Sequence, residues 1–302
     1  MTFAERYRQA LAFKSLDVEE VIDRRFHRPI AAVLAAALLP LGVRPNQVTL
    51  ASLLTGWTGA YLLYRGFYVG DPGPPLIWLL SGFFLFLSVI LDCADGQLAR
   101  ARGGGSRVGR ILDGFVDVLV LFPTYVILGI GIGHLFGTTW ILIAAIAGFS
   151  TWIRCIVYDK TKNLYLANTM PSAGGAEGTE SLTEVRKEQQ EARRSGTLLE
   201  RFLLWVYVGY LQVQERFASG STEKQTHHLS PEDIQAYRAT HRPTMRLAAA
   251  MGLGTHMALL YTSIALMALD LRAALAIQVL LATVFNALLV LAILRTRTLS
   301  RP

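Results

Sequence analysis

Long apolar segments separated by short polar breaks run through most of the chain. Breaks rich in glycine and proline stand at 70–75 and 103–105, and a polar block covers 159–242. A helix that crosses a bilayer needs roughly 20 consecutive, mainly apolar residues. The pattern therefore predicts an all-α polytopic membrane protein with six transmembrane helices. Their expected positions are about 48–65, 75–100, 107–131, 139–158, 244–269 and 273–295.

A shorter apolar run precedes these segments, at residues 29–43. Pro29 opens the run and Pro40 interrupts it. Because the run is too short to cross the hydrocarbon core comfortably, we expect an N-terminal interfacial helix here. A true span is the alternative, and it would place the two chain termini on opposite sides of the membrane.

Six spans place both termini on one side, and the basic residues concentrate on that same side. The positive-inside rule then puts the termini in the cytoplasm, most simply at the cell (inner) membrane. Inside the polar block, residues 197–217 suit a helix at the membrane surface or packed on the core. The expected organisation is an N-terminal cytoplasmic or interfacial segment (1–47), spans one to four (48–158), a cytoplasmic insertion with amphipathic helices (159–243), and spans five and six with the tail (244–302).

Composition and charge agree with a membrane protein. Hydrophobic residues make up 52% of the 302 residues, and mean hydropathy is +0.38. The net charge is +7, but the sequence contains no aromatic and basic module of the kind that recognises nucleic acid. We therefore expect the basic residues to face lipid rather than nucleic acid. Cys93 and Cys155 are too few for a disulfide framework or a zinc site. The start, MTFAERYRQA, has no apolar core, so no removable signal peptide is expected.

Four aspartates lie in or beside the second and third predicted spans. A charge near the bilayer centre costs about 2.5–3.5 kcal/mol, so unpaired burial is not expected. Asp92 and Asp95 are three residues apart, and Asp113 and Asp117 are four apart, so each pair shares a helix face. The GGG turn makes the two helices antiparallel neighbours, and the two pairs are expected to face each other.

Four gathered carboxylates repel each other unless a cation lies between them. Hard oxygen ligands select Mg²⁺, Mn²⁺ or Ca²⁺, and four carboxylates can bridge two ions. A metal pair of that size can grip a diphosphate and stabilise charge on the attacking and leaving oxygens. Gly96 and Gly109 would let a nucleotide approach closely, and Arg100 can reach a phosphate oxygen.

The motif from Asp92 to Asp117 reads D-x₂-D-G-x₂-A-R-x₈-G-x₃-D-x₃-D. It resembles the defining motif of the CDP-alcohol phosphatidyltransferase (CDP-alcohol phosphotransferase) family, and every motif position matches. The resemblance extends to the interfacial helix, to a Pro-Asn-x-x-Thr element at 45–49, and to the six spans. It does not obviously cover 159–243.

The resemblance implies two metals, usually Mg²⁺ or Mn²⁺, on the four aspartates, with Asp117 as the general base for the acceptor hydroxyl. It also implies displacement at the phosphorus distal to cytidine, with release of CMP, and a homodimer. Arg154, near the cytoplasmic end of the fourth span, is expected to bind an acceptor phosphate, or else to be a snorkelling arginine. The positions expected to bind the CDP part of the donor are Gly96, Arg100 and Gly109 and, on looser alignment, Asn46, Thr49 and Ser106.

Three functions stay open at this point. The first is a phospholipid synthase with CDP-diacylglycerol as donor and a polar alcohol such as inositol phosphate or glycerol phosphate as acceptor. The second uses a soluble donor, namely CDP-inositol, CDP-choline or CDP-ethanolamine; Gly114 stands where the choline and ethanolamine enzymes usually have histidine. The third is a non-catalytic transporter or scaffold. Two structural alternatives also stay open: an Asp95–Arg100 ion pair, and a helix N-cap formed by Asn46 and Thr49.

Overall fold

The computed structural model describes residues 1–12, 15–70, 72–104, 107–170, 182–217 and 230–299. Within these ranges the chain forms α-helices and short turns of other helix types, and no strand. The prediction of an all-α fold is confirmed for this part of the chain. The helices are α1 Phe3–Ala10, α2 Arg28–Leu38, α3 Pro45–Tyr68, α4 Pro75–Ala101, α5 Arg107–Phe136, α6 Thr139–Thr169, α7 Leu182–Ser195, α8 Leu198–Phe217, α9 Pro231–Ala249, α10 Leu253–Leu266, α11 Ala273–Ala282 and α12 Val284–Leu299.

Five helical segments in the described ranges are long and apolar enough to cross a membrane. They account for five of the six predicted spans and indicate an integral membrane protein. The segments are Pro75–Ala101, Val108–Phe136, Thr139–Thr169, Pro231–Leu266 and Ala273–Thr296.

The first predicted span, 48–65, lies inside α3, a helix of 24 residues that is not among these five. Its apolar residues alternate with Thr55, Thr58 and several glycines, which lowers its hydropathy although its length suffices. The sixth span therefore stays a prediction.

The predicted interfacial helix at 29–43 forms the short α2 and a single 3₁₀ turn, Leu39–Leu41. Pro40 stands in that turn, and Gly42 ends it with a positive φ of 69°. Ala31 is fully buried in a cluster with Ile90 and Ala94 of α4, so one face of α2 packs on protein. Its position at a membrane interface stays a prediction.

Two helix ends near the predicted insertion (159–243) differ from the expected boundaries. Helix α6 continues to Thr169 instead of ending at 158, because Tyr165 is buried on its inner face. Helix α9 already begins at Pro231, where the side chain of Ser230 caps it by accepting from the N–H of Asp233. The residues between these helices that the structure describes form α7 and α8.

The chain divides into two compact units. Unit 1 comprises Met1–Lys14, Glu20–Trp152 and Leu253–Asn286; unit 2 comprises Ser15–Glu19, Ile153–Gly252 and Ala287–Pro302. Unit 1 has an apolar core that includes Phe67, Trp78 and Leu128, and unit 2 has one around Tyr165 and Met245.

Small residues bring α3 and α4 close together within unit 1. The Ser88 hydroxyl donates to the Ser52 carbonyl at 2.8 Å, and the Ser81 hydroxyl donates to the Gly59 carbonyl at 2.8 Å. A Cβ atom at Gly59 would lie 2.8 Å from Leu85 Cγ, so no larger residue fits there without a shift. Glycine and serine are the residues that let helices approach this closely inside a membrane.

Candidate metal centre

The four aspartates of the motif lie where α4 ends and α5 begins. Gly103 and Gly104 follow α4 with φ values of 97° and 113°, a conformation that glycine adopts without steric cost. The Gly104 N–H donates to the Ala99 carbonyl at 3.0 Å, which closes the helix end. Helix α5 starts at Arg107.

Three of the four carboxylates converge. One oxygen from each of Asp92, Asp95 and Asp113 lies within 4.8 Å of the other two. The carboxylate of Asp113 thus faces those of both Asp92 and Asp95. Asp117, one helical turn beyond Asp113, repels Asp92 electrostatically. Contacts between carboxylate oxygens require a shared proton or a cation, because two ionised groups repel each other.

The burial of these groups fits a cation. Asp95 is only 4% exposed, and the Oδ1 atoms of Asp92 and Asp113 are buried without a hydrogen-bond partner among the described residues. A buried carboxylate oxygen that lacks a donor is costly, and a divalent cation with hard-oxygen preference would satisfy it. The residues present therefore fit a divalent metal ion.

Thr49 of α3 completes the surroundings of Asp95. Its side chain is 5% exposed, and its hydroxyl lies 2.5 Å from Asp95 Oδ2 and 3.2 Å from the Pro45 carbonyl. The Gly96 N–H also donates to Asp95. Donors of this kind fix the orientation of a ligating carboxylate. Thr49 was predicted to contact the nucleotide, and the structure adds a contact to a candidate metal ligand.

The N-cap alternative for Asn46 and Thr49 is wrong. The N-cap of α3 is Arg44, and Pro45 follows it as the first helical residue. The Gln47 side chain accepts from the Arg44 N–H at 2.8 Å. Asn46 is exposed on the first turn of α3, and its contact with a nucleotide stays a prediction.

Arg100 lies at the rim of the cluster. It is exposed, and it attracts both Asp95 and Asp113 electrostatically. An ion pair with Asp95 stays a prediction. Among the residues that the structure describes, a Cβ atom at Gly96 would meet only Arg100 Nη1, at 3.4 Å. The space beside Gly96 is thus bordered by a guanidinium group, which suits the approach of a phosphate.

The remaining predicted site residues are less closely tied to the cluster. Gly109 is half-buried on the first turn of α5, and Ser106 lies outside the described residues. No atom of the described part of the chain lies within 4 Å of a Cβ atom placed at Gly114. Arg154 belongs to unit 2 and is 0% exposed, so the snorkelling alternative, which needs an exposed head group, does not describe it.

Sequence reasoning missed a set of buried acids in the N-terminal segment. Glu20 is 3% exposed; its carboxylate accepts from the N–H groups of Gly254 and Thr255, at 3.1 and 2.7 Å, at the start of α10. Asp23 pairs with His27, whose other ring nitrogen lies 3.1 Å from the Tyr261 hydroxyl. No local pattern marks Glu20 as buried, because its partners lie more than 200 positions away in the chain.

Apolar helices long enough to cross a membrane, with a buried acidic cluster at the ends of two of them, define a membrane protein with a candidate divalent-metal centre. Residues 42–173 match the family model for CDP-alcohol phosphatidyltransferase. The matched stretch includes all four aspartates.

Curated relatives match the chain over part of their length. A phosphatidylinositol phosphate synthase from Mycobacteroides abscessus is 34% identical over 97 residues, 32% of this chain and 40% of that protein. An archaetidylinositol phosphate synthase from Pyrococcus horikoshii is 32% identical over 102 residues, 34% of this chain and 48% of that protein. A bifunctional IPC transferase and DIPP synthase from Archaeoglobus fulgidus is 39% identical over 104 residues, 33% of this chain and 19% of that protein. The chain thus spans less than half the length of these relatives, and no solved structure matches it.

Proposed function

We propose that this chain transfers a phosphoalcohol group from a CDP-linked donor to the hydroxyl of a polar alcohol, with release of CMP. The observation that carries the proposal is the convergence of Asp92, Asp95 and Asp113 within 4.8 Å at the junction of α4 and α5. The same residues, with Asp117, form the motif that the family resemblance rests on. A diphosphate is the substrate group that such a cluster of hard ligands suits when it is loaded with cations.

The four aspartates would hold two divalent cations, Mg²⁺ or Mn²⁺. When bound, these cations would offset charge on the attacking oxygen of the acceptor and on the leaving oxygen of the diphosphate. The orphaned Oδ1 atoms of Asp92 and Asp113 support this assignment. The hydrogen bond from Thr49 to Asp95 would hold that carboxylate in one orientation.

The other side chains have separate roles in the proposed transfer. Asp117 would accept the proton of the acceptor hydroxyl as a new oxygen–phosphorus bond forms and the phosphorus–oxygen bond to CMP breaks. Arg100 would hold a phosphate oxygen of the donor beside Gly96. Gly109, Asn46, Thr49 and Ser106 complete the proposed CDP-binding set.

We propose CDP-diacylglycerol as the donor and inositol phosphate as the first acceptor to test. Two of the relatives described above are named for phosphatidylinositol phosphate and archaetidylinositol phosphate synthesis. Glycerol phosphate is the next acceptor to test. The site would open to the cytoplasm and laterally to lipid, so that a lipid-linked donor can enter from the leaflet, and the chain would act as a homodimer.

A soluble CDP-alcohol donor such as CDP-inositol is the second candidate. It is favoured by the similarity to the Archaeoglobus fulgidus protein, whose name combines an IPC transferase with a DIPP synthase. CDP-choline and CDP-ethanolamine are further soluble donors of this second candidate function.

The decisive experiment measures CMP release by purified chain with Mg²⁺ or Mn²⁺. Labelled CDP-diacylglycerol, CDP-inositol and CDP-choline are each offered against a panel of acceptors. Asp117→Asn should abolish turnover, whereas Glu232→Gln, which neutralises an exposed carboxylate on α9, should retain it. Release with a single donor identifies the donor class. No release with any donor would favour a transporter or scaffold and contradict the proposal.

Arg154 is proposed to bind the acceptor phosphate. Arg154→Lys keeps the charge of this fully buried side chain, and Arg154→Gln removes it. The Gln variant should raise KM for a phosphorylated acceptor while leaving KM for an unphosphorylated alcohol unchanged, and the Lys variant should be intermediate. If wild type and Arg154→Gln have the same KM for the phosphorylated acceptor, this role of Arg154 is refuted.

A further inference from the structure

Helix α8 is apolar on two opposite faces. One face packs inside unit 2, where Leu203, Leu204, Val208 and Leu211 are buried. The other face, here termed the α8 face, consists of Leu198, Leu199, Phe202 and Trp205, with exposed fractions of 82%, 54%, 45% and 62%. Leu198, Phe202 and Trp205 follow the i, i+4, i+7 spacing that aligns side chains along one side of a helix. A large contiguous apolar surface of this kind marks an interaction site.

Polar contacts fix which way the α8 face points. The Tyr210 hydroxyl on the inner side donates to Asp159 Oδ2 of α6 at 2.8 Å. At the other end of α8, the Arg201 Nε donates to the carbonyls of Ala192 and Gly196, at 3.0 and 3.1 Å. Because both ends are attached, the exposed side cannot turn inward without breaking these hydrogen bonds.

The helix is too short in apolar sequence to cross a bilayer. Charged residues stand at Arg201 and Glu215, and the run between them, 202–214, extends about 20 Å at 1.5 Å per residue. The hydrocarbon core is about 30 Å thick. Asp159, to which α8 is attached, is followed by Lys160 and Lys162 at the polar end of the apolar α6. The contact therefore ties α8 to the charged stretch that follows the apolar run of α6.

Basic residues adjoin the α8 face at its N-terminal end. Arg193 and Arg194 are exposed in the last turn of α7, directly before the turn into α8. Glu200 is engaged there in a reciprocal cap, because its carboxylate accepts from the Thr197 N–H at 2.9 Å. Exposed arginines next to leucine, phenylalanine and tryptophan match the chemistry of an anionic lipid headgroup layer.

From these observations we propose that the α8 face lies in the headgroup and acyl boundary of an anionic bilayer, with Arg193 and Arg194 contacting lipid phosphates. The α7–α8 pair is then a membrane-surface element of the chain, in addition to its spanning helices. This inference rests on unit 2 alone and does not depend on the proposed transfer reaction.

The test uses the full chain in vesicles of phosphatidylcholine, with or without phosphatidylglycerol, that contain lipids brominated at a shallow acyl position. The chain has five tryptophans, so the quenching due to Trp205 is the difference between wild type and Trp205→Phe. We expect this difference signal to be strongly quenched. In Arg193→Gln/Arg194→Gln the quenching should fall by more than half in anionic vesicles and change little in neutral ones.

Arg186→Gln/Lys187→Gln is the matched control, because it removes two exposed charges at the other end of α7. In this control variant, brominated lipid should quench Trp205 as strongly as in wild type, in both anionic and neutral vesicles. The proposal is overturned if Trp205 is not quenched by brominated lipid, or if it is quenched equally well by aqueous iodide. It is equally overturned if Phe202→Glu dissociates an oligomer while Trp205 stays unquenched, since a second copy would then cover the α8 face.

Discussion

The hydroxyl of Thr49 offers a sharp test of the metal centre, because it touches Asp95 and is itself neither acidic nor exposed. Thr49→Val keeps the shape of the side chain and removes the donor. Thr49→Ser keeps the donor and removes a methyl group. The difference between wild type and Thr49→Val therefore reports the hydrogen bond, and the difference between wild type and Thr49→Ser reports the packing of the methyl group.

The expected magnitude follows from the chemistry of this contact. A hydrogen bond to a charged group contributes about 1.5–3 kcal/mol. Since about 1.4 kcal/mol corresponds to a tenfold change in an equilibrium constant, Thr49→Val should weaken metal binding roughly 10- to 100-fold. Asp95 keeps the donor from the Gly96 N–H, so the carboxylate is loosened rather than released.

The measurement is a titration of purified protein with Mn²⁺, in which free Mn²⁺ is followed by its electron paramagnetic resonance signal. Wild type and Thr49→Ser should bind within about threefold of each other, whereas Thr49→Val should fall in the predicted range. Equal affinity in wild type and Thr49→Val would refute the role of the hydroxyl. Absence of Mn²⁺ binding in wild type would instead contradict the metal centre itself.

Three further predictions concern residues around the site and in the N-terminal segment. Gly96→Val fills the space beside Arg100 Nη1 and should raise KM for the CDP donor about tenfold, with an unchanged unfolding temperature. Glu20→Gln turns an amide N–H₂ toward donors on α10 and should destabilise the chain by about 1–3 kcal/mol in detergent, while the exposed Glu232→Gln should not. Burial opposes ionisation of Asp17, but hydrogen bonds from Arg238 and Tyr165 outweigh it and lower the pKa of that carboxyl below 3.8. The stability that Asp17 contributes is therefore present above pH 3.8 and is lost as the pH falls through the lower pKa of the folded state. The unfolding temperatures of wild type and Asp17→Asn should differ at neutral pH and converge in acid. A difference in unfolding temperature that persists at the lowest pH would contradict the ion-pair explanation.

The acidic cluster could be predicted from sequence because helical spacing is local. Intervals of three and four residues place Asp92 beside Asp95 and Asp113 beside Asp117, and a glycine turn brings the two helices back together. The convergence of Asp92, Asp95 and Asp113 follows that expectation.

The buried acids of the N-terminal segment could not be predicted in this way. Glu20 is stabilised at the start of α10, and Asp17 by arginines of α9, so their partners are set by tertiary packing across the length of the chain. The local sequence of such a charged stretch predicts a solvated segment, because its partners are distant in the chain. The end of α6 was misplaced for a related reason, since charges at 159–162 suggest a loop while Tyr165 is buried beyond them.

The contact between Thr49 and Asp95 depends on how closely α3 packs on its neighbours. One and two turns further along α3, Ser52 and Gly56 meet Ser88 and Val120, and a Cβ atom at Gly56 would lie 2.9 Å from the Ser88 hydroxyl. Larger side chains at these positions would hold α3 away from α4 and α5, and the hydroxyl of Thr49 would no longer reach the carboxylate. Small residues in a membrane helix are usually explained by helix association alone. Here the same residues also determine the distance between a metal-site carboxylate and the donor that orients it.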